Sequence, residues 1–248
     1  MAWSCSGKSN AELVDNLLRA GILSTPRVVQ AFKRVDRKYY VSDPSDSYRD
    51  SPSYIGYGAT ISAPHMHANA IENLEPFLKP NANVLDVGSG SGYLLGLFHS
   101  LVQPGGTVLG IDHIPELVAL SRANLSRDPT TASALCADER SPVDPSVPES
   151  KTMQCILADG RQGAPEGFVP SGGWQAIHVG AAAPHLPQKL VDQLASPGRM
   201  FIPVGVQDQS IYQVDKDEQG NVTKKRLYGV RYVPLTDREA QHPQGGSP

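Results

Sequence analysis

The chain has 248 residues, which is enough for one α/β domain or two small ones. Its composition, 40% hydrophobic and 19% charged, allows a packed core and argues against disorder throughout. The formal net charge of −3 argues against a protein that grips nucleic acid through a basic face, although a local basic patch stays open.

Cysteine usage and the first residues bear on where the protein works. Cys5, Cys136 and Cys155 are odd in number and widely spaced and contain no CxxC pair, which favours a reducing compartment. Residues 1–6 lack the apolar run of a secretion signal, and no stretch approaches the roughly 18 apolar residues of a membrane span. We therefore expect a cytosolic protein that binds neither membranes nor nucleic acid, with a monomer as the default.

The N-terminal part of the chain predicts helices around one irregular segment. Ser9 and Glu12 have capping-box spacing, which begins a helix over 9–20, and Pro26 suits the first turn of a second helix to about 35. Residues 42–63 show no periodicity and are expected to form a long, functional loop. A third helix is expected over 64–78.

Strands and helices alternate in the middle of the chain. Strands are predicted at 84–87, 107–111, 153–158, 175–179 and 199–203, with helices to about 102, at 115–125 and at 186–194. This rhythm is typical of parallel βαβ units. Short antiparallel strands are predicted at 211–214, 222–227 and 229–235, and residues 127–151, rich in proline, are expected to form an irregular surface loop.

The sharpest local motif is LDVGSGSG at 85–92, which follows a strand and opens a helix, as nucleotide-binding turns do. Gly88 and Gly90 let the backbone approach a ligand closely. The motif lacks the GxGxxG of dinucleotide sites. It also carries Asp86, whose carboxylate would repel a phosphate but could hold a cationic amino-acid group. S-adenosylmethionine, which has adenosine, no phosphate and such a group, meets both demands.

Two more acids end neighbouring strands. Asp112, about twenty residues after the glycines, is placed to accept both ribose hydroxyls of an adenosine. Asp159, followed by Gly160, could bond an adenine amino group, with an ordinary Asp-Gly turn as an equal alternative. Ligands of doubly wound sheets lie beyond the carboxyl ends of the strands, so these acids and the glycines are expected to share one site.

Six segments together carry a family resemblance: ATISAPHMH at 59–67, LDVGSGSG at 85–92, GIDH at 110–113, AIHVGAAAP at 176–184, IPVG at 202–205 and YVPLTD at 232–237. Over nearly its whole length the chain resembles the protein-L-isoaspartate (D-aspartate) O-methyltransferases. The resemblance implies an α/β, Rossmann-like class I methyltransferase fold, with a doubly wound, mostly parallel sheet, antiparallel C-terminal strands and extra N-terminal helices.

We interpret the chain as a single domain over 1–248. Its parts are expected to be a helical and lid part at 1–80, a cofactor-binding core at 81–205, the C-terminal strands at 206–241 and a tail at 242–248.

The resemblance also implies an activity. Such an enzyme repairs damaged proteins and peptides by moving a methyl group from S-adenosylmethionine to the α-carboxyl of an L-isoaspartyl residue, which leaves S-adenosylhomocysteine. D-aspartyl residues stay open as a second substrate. The methyl ester then collapses to a succinimide, and hydrolysis of that ring regenerates some normal aspartate.

Roles for individual residues carry over from the family motifs. Ser62 is implied as the active-site residue and as a substrate contact. The other implied substrate contacts are Val179, Gly180, Ala181, Pro203 and Val204. The implied cofactor contacts, including the two glycines of the motif, are Ala59, Thr60, Ile61, Ser62, His67, Asp86, Gly88, Gly90, Asp112, His113, Asp159, Gly160, Thr236, Asp237 and Gln241.

The chemistry of this transfer fits these residue types. A carboxylate with a pKa of about 4 is ionised at neutral pH and needs no general base, and a sulfonium methyl is activated without a metal. Ser62, which lies in no G-x-S-x-G motif, is therefore interpreted as an orienting hydroxyl. No metal site is expected, because His65 and His67 would diverge on a helix.

Three other functions are compatible with parts of this sequence pattern. A nucleic-acid or glutamine amide methyltransferase would share the fold, but such enzymes carry an Asn/Asp-Pro-Pro-aromatic segment where this chain has HVGA at 178–181. A small-molecule methyltransferase would lack the ATISAPHMH segment. A binding module without catalysis is the non-enzyme alternative.

Overall fold

The structure is a computed structural model that describes residues 5–136 and 152–241. The tail expected at 242–248 and residues 137–151 of the expected surface loop lie outside the described part. The helices are α1 Asn10–Arg19, α2 Pro26–Arg34, α3 Pro64–Leu74, α4 Tyr93–Val102, α5 Pro115–Arg127, α6 Gln188–Gln193 and α7 Arg238–Gln241. The strands are β1 Ser53–Gly56, β2 Ala59–Ile61, β3 Asn83–Val87, β4 Thr107–Asp112, β5 Met153–Leu157, β6 Trp174–Val179, β7 Leu194–Val204, β8 Gln209–Lys216 and β9 Val222–Val230.

The main sheet has the order β5-β4-β3-β6-β7-β8-β9. Strands β5, β4, β3, β6 and β7 pair in parallel, and β8 and β9 are antiparallel. From β3 the chain runs outward through β4 to β5 and then returns to the other side of β3 through β6. This reversal places the crevice between parallel strands at the carboxyl end of β3. The expected doubly wound sheet with antiparallel C-terminal strands is confirmed.

Hydrophobic side chains cover both faces of the sheet. One core packs the N-terminal helices and α4 against one face, with Leu17, Phe32 and Phe98 fully buried. The other core lies on the opposite face and includes Leu85, Ile177 and Leu190. Parallel strands that are covered on both faces read as continuous apolar runs, and this is why the strands of the core were predictable. Among the described residues, no helix is both long and apolar enough to cross a bilayer.

The segment expected as an irregular loop at 42–63 contains a β-hairpin, so that expectation is wrong. Strands β1 and β2 pair Ser53 with Ile61 and Tyr54 with Thr60. The turn between them has φ of +94°, +54° and +69° at Gly56, Tyr57 and Gly58. Glycine adopts positive φ readily at positions 56 and 58, whereas Tyr57 takes a left-handed conformation that is rare for a bulky residue. Strands of four and three residues are too short to show a clear alternation in the sequence.

The C-terminal strands also differ in one respect from expectation. Strand β9 is continuous from Val222 to Val230, so no separate strand begins at Gly229. Beyond it, the chain leaves the sheet, and Pro234 forms only an isolated bridge with Ala182. A proline has no N–H to donate to a strand ladder, which is the physical reason that regular pairing does not continue there.

Candidate active site

The glycine-rich turn between β3 and α4 is held by the neighbouring strand. The N–H groups of Gly88 and Ser89 both donate to the Ile111 carbonyl, at 2.8 and 3.1 Å. Gly88, Gly90 and Gly92 have φ of +78°, +50° and +83°. A Cβ on Gly92 would lie 2.5 Å from the Ser121 hydroxyl on α5. Glycine is therefore required for the turn and for the close packing of the two helices.

Asp112, at the end of β4, accepts hydrogen bonds from the backbone of this turn and of the start of α5. One carboxylate oxygen accepts from the Gly90 N–H and the other from the Ile114 N–H, each at 3.1 Å. Burial raises the pKa of Asp112, while these backbone hydrogen bonds act in the opposite direction. Each carboxylate oxygen has a second acceptor position, so these bonds leave Asp112 able to take ribose hydroxyls as well.

A cavity opens above the turn, where a ligand of this fold binds. Its empty space, including the open mouth, is about 550 Å³. Of the residues proposed from sequence, the wall contains Ala59, Thr60, Gly88, Gly90, Asp112, His113, Gly160, Gly180, Ala181, Thr236 and Gln241. Residues from the hairpin, the strand ends and the C-terminal segment thus meet around one space.

The C-terminal segment closes the cavity and is tied down at two points. Arg161 pairs with Asp159 and, at 2.7 Å, with Asp237. Hydrogen bonds from Arg161 lower the pKa of Asp159. In this arrangement the Asp159 carboxylate is engaged by an arginine, and its expected bond to adenine stays a prediction. At the other point, Gln241 bonds His113 and the Tyr57 carbonyl.

Asp86 lies outside the cavity wall. It is buried in β3, and its carboxylate lies 2.7 Å from Nδ1 of His178 on the adjacent strand β6. The ring of His178 stacks on Phe201, with 6.1 Å between the ring centroids. The expected contact of Asp86 with a cationic amino-acid group stays a prediction, and the structure shows that the Asp86 carboxylate is paired with His178.

Ser62 lies between β2 and α3, next to buried Ile61. Its backbone carbonyl accepts from Nη2 of Arg37 at 2.9 Å. Burial raises the pKa of Tyr232, and a hydrogen bond with the Ser62 side chain acts in the opposite direction. His67 is buried one turn into α3, where burial first, and then the charges of Arg37, His178 and His65, lower its pKa well below the ordinary value. It is therefore neutral.

The two residues that follow the expected substrate stretch 179–181 are paired with other parts of the chain. The Ala182 N–H donates to Val233 and its carbonyl accepts from Leu235, both at 2.8 Å. The Ala183 N–H donates to the Pro203 carbonyl at 3.0 Å, beside Val204 at the end of β7. A substrate strand therefore cannot pair at Ala182. The expected contacts at Val179, Gly180 and Ala181, in the stretch that precedes it, stay predictions.

Sequence reasoning did not single out several residues that the structure places here: Arg37, Arg161, His178, Tyr232 and the wall residues Val87, Ile111, Leu117, Val233, Pro234 and Leu235. Arg161 carried a signal, since it directly follows the Asp159-Gly160 strand end. Arg37 carried none, because its partners come from positions 25 and 30 residues away. Among the described residues, no three metal-ligating side chains come together.

Comparison with known proteins agrees with this geometry. The family model described as protein-L-isoaspartate(D-aspartate) O-methyltransferase matches residues 8–240. Protein-L-isoaspartate O-methyltransferase 1 of Arabidopsis thaliana is 46% identical over 240 residues, which cover 96% of each chain. The protein-L-isoaspartate O-methyltransferase of Caenorhabditis elegans is 42% identical over 243 residues, 97% of this chain and 98% of the relative.

A solved structure is similar over almost the same extent. It is a Plasmodium falciparum chain, described as a protein-L-isoaspartate O-methyltransferase in complex with S-adenosyl-L-homocysteine. It superposes with a TM-score of 0.76 at 32% identity, covering 93% of this chain and 99% of its own. The matched family model and these relatives span the glycine turn, the hairpin and the C-terminal segment, and this chain belongs to the protein-L-isoaspartate (D-aspartate) O-methyltransferase family.

Proposed function

We propose that this protein transfers a methyl group from S-adenosylmethionine to the α-carboxyl of L-isoaspartyl residues in damaged proteins and peptides. The observation that carries the proposal is that one segment of the chain both lines the proposed cofactor cavity and contains Ser62, the proposed acceptor-orienting residue. Ala59 and Thr60 line the cavity over Gly88, Gly90 and Asp112, and Ser62 follows Thr60 by two residues in the same segment. The ester formed would close to a succinimide and open partly to normal aspartate.

The residues present fit the cofactor. The cavity has a floor of backbone at Gly88 and Gly90, where no side chain obstructs a ligand, and a buried carboxylate at Asp112 for the ribose hydroxyls. Gly160 and Leu117 contribute apolar wall against which an adenine ring could pack. When bound, S-adenosylmethionine supplies a methyl group on a positively charged sulfur.

The chain's own residues have a modest chemical task. The acceptor carboxylate is already ionised, so the site has to orient two charged partners and exclude water. Orientation of this kind contributes up to roughly 7–11 kcal/mol where it is ideal. Ser62 would orient the acceptor carboxylate through its hydroxyl, and Thr236 and Gln241 close the cavity above the cofactor. Peptide contacts would come from the stretch at 179–181 and from Pro203 and Val204.

The experiment uses two peptides that differ only at one position, with L-isoaspartate in one and normal L-aspartate in the other. Labelled S-adenosylmethionine reports methyl transfer, and release of the label in mild base reports a carboxyl ester. We expect base-labile label on the isoaspartyl peptide alone. A third peptide with D-aspartate tests the second substrate class.

Transfer to none of the peptides, with S-adenosylhomocysteine still bound in calorimetry, would contradict the substrate assignment. Base-stable transfer to nucleic acid or to a glutamine amide would favour the rival enzymes of the same fold. Binding of the cofactor with no transfer to any acceptor would favour a non-catalytic module.

We further propose that the protein acts as a monomer in the cytosol, on protein substrates and on neither nucleic acid nor membranes, with the single-domain division at 80, 205 and 241 given above. The net charge of −3 offers no overall attraction to nucleic acid or to anionic lipid. Cys5, Cys136 and Cys155 are unpaired thiols, as a reducing compartment favours. Light scattering tests the monomeric state, cell fractionation tests the cytosolic location, and limited proteolysis tests the single-domain division.

A further inference from the structure

Arg37 is a fully buried guanidinium beside the candidate active site. It lies in the 3₁₀ turn Arg37–Tyr39 that follows α2, and none of its surface reaches solvent. Its Nη2 donates to the Ser62 carbonyl at 2.9 Å, and its Nη1 lies 3.5 Å from Nδ1 of His67. The Tyr93 ring lies beneath it, with 5.5 Å from Cζ to the ring centroid.

This cation has no ion-pair partner among the described residues. Its Nε is also buried without a hydrogen-bond acceptor. Burial lowers the pKa of Arg37 to about 10, so the group is still charged at neutral pH. The Tyr93 hydroxyl and the carboxylates of Asp50 and Asp46 act on this pKa in the opposite direction to burial, but neither carboxylate is close enough for a direct ion pair. A buried charge without a direct ion pair destabilises a fold, and an apolar side chain of similar volume would serve packing alone better. The retained charge therefore calls for a role outside packing.

The contact with His67 fixes the chemistry of that imidazole. A guanidinium donates hydrogen bonds and cannot accept them. Nδ1 of His67 must therefore be the acceptor, which places the single hydrogen of the neutral ring on Nε2. A neighbouring permanent charge also opposes protonation of the ring. His67 is thus held as a neutral Nε2–H donor.

The contact with Ser62 fixes a backbone position. The carbonyl that Arg37 holds belongs to the same residue whose hydroxyl is proposed to orient the acceptor carboxylate. Ser62 stands between strand β2 and helix α3, so its backbone has no strand or helix partner of its own. A displacement of about 1 Å at such a group can lower a rate on the order of 100-fold.

We propose that Arg37 is a positioning residue of methyl transfer, which through one guanidinium fixes both the backbone of Ser62 and the tautomer of His67. The inference rests on the proposed function for its kinetic part. Its structural part concerns two contacts that exist without any substrate, and this allows the two to be tested separately.

The experiment compares Arg37→Met and Arg37→Lys with Tyr40→Phe as a matched control. Tyr40 follows the same 3₁₀ turn and is also buried. Its hydroxyl donates to the Asp128 carboxylate at 2.8 Å, a bond that involves neither Ser62 nor His67. Loss of that bond destabilises the turn without touching the site. Each variant is measured for thermal unfolding, S-adenosylhomocysteine affinity, single-turnover methyl transfer to the isoaspartyl peptide, and imidazole ¹⁵N shifts, with the His67 signals assigned from His67→Gln.

We expect wild-type His67 to show the Nε2–H pattern and Arg37→Met to lose it. Single-turnover transfer should fall about 10- to 100-fold in Arg37→Met, with less loss in Arg37→Lys, which keeps the charge but lacks the planar fork whose two terminal nitrogens contact the two acceptors. Tyr40→Phe should unfold earlier and transfer at close to the wild-type rate.

Unchanged His67 shifts and an unchanged transfer rate in a folded Arg37 variant would overturn the proposal and leave Arg37 a packing residue. If Arg37→Met does not fold, Arg37→Lys decides by the same two readouts. The ¹⁵N shifts need no substrate, so an Nε2–H pattern that depends on Arg37 in a protein inactive on isoaspartyl peptides would overturn the proposed function and keep the contact.

Discussion

His113 and Gln241 are 128 positions apart in the chain, yet Nε2 of His113 donates to Oε1 of Gln241 at 2.7 Å. The side-chain amide of Gln241 also donates to the Tyr57 carbonyl at 3.2 Å. One glutamine thus connects the end of β4 with the β1–β2 hairpin across the cavity. The hairpin, the end of β4 and the C-terminal segment all line the cavity, so Gln241 joins the walls that would enclose the cofactor.

Gln241→Ala should therefore shorten the residence of the cofactor. Two neutral hydrogen bonds contribute about 1 kcal/mol each, so loss of one or both corresponds to roughly 5- to 30-fold faster release of S-adenosylhomocysteine. Stopped-flow release measures this rate. Gln219→Ala, at an exposed turn between β8 and β9, serves as the control and should release the ligand at the wild-type rate. Equal release from both variants would show that Gln241 does not retain the cofactor.

Gly58→Ala tests the same closure from the side of the hairpin. A Cβ on Gly58 would lie 2.8 Å from the Gln241 carbonyl oxygen, whereas a Cβ on Gly56 in the same hairpin meets nothing within 4 Å. Both positions have positive φ, so each alanine should cost about 1–2 kcal/mol of folding stability. Only Gly58→Ala displaces α7, and only it should weaken cofactor affinity beyond that shared loss. Calorimetric titration of both alanine variants with S-adenosylhomocysteine measures this difference. Equal affinities in the two variants would show that the close approach of Gly58 to Gln241 does not affect cofactor binding.

The closure over the cofactor was the part of the site hardest to read from the sequence. The buried strands and the glycine turn were predictable, because a run such as Val84-Leu85 followed by glycines specifies a strand and a turn locally. The hairpin was missed because its strands are short and its turn is bonded by Gln241, which lies 184 positions further along the chain. Burial of Arg37 and the pairing of Arg161 with Asp237 are set by partners far along the chain, which local patterns do not encode.

Asp112→Ala should weaken cofactor binding more than it slows the transfer step at saturating cofactor. The substitution removes the proposed ribose acceptor and leaves the buried N–H of Ile114 and the part-buried N–H of Gly90 without partners. An unsatisfied buried donor costs about 1–3 kcal/mol, so chemical unfolding should also show a stability loss of this order or more. Asp112→Asn retains one acceptor oxygen, so its cofactor affinity should lie between that of the wild type and that of Asp112→Ala. Unchanged affinity for S-adenosylhomocysteine would contradict the ribose assignment.

Ser62→Ala is expected to act in the opposite way. The hydroxyl is proposed to orient the acceptor, so the single-turnover rate should fall about 10- to 100-fold while affinity for S-adenosylhomocysteine changes less than threefold. Tyr232→Phe removes the hydroxyl that bonds Ser62 and should produce a smaller loss of the same kind. Parallel losses of cofactor affinity and of rate in Ser62→Ala would mean that the serine serves the cofactor instead.

Protonation of His67 predicts an acid-side loss of stability. Burial, followed by the charges of Arg37, His178 and His65, keeps the pKa of His67 well below its ordinary value in the folded state. In the unfolded chain the same imidazole takes up a proton near pH 6.5. Below that pH the unfolded state binds more protons, so the free energy of unfolding falls as the pH falls. One such group gives a slope of about 1.4 kcal/mol per pH unit.

His67→Gln should flatten the dependence of the unfolding free energy on pH below about 6.5 by up to the slope of one proton. Urea unfolding at half-unit steps from pH 7.5 to 5 measures this difference between variant and wild type. His99, whose pKa burial also lowers, remains in both proteins and contributes equally to their profiles. The exposed His185 provides the control substitution, His185→Gln, which should keep the wild-type slope. A His67→Gln profile parallel to that of the wild type would show that His67 takes up its proton in the folded state as readily as in the unfolded chain.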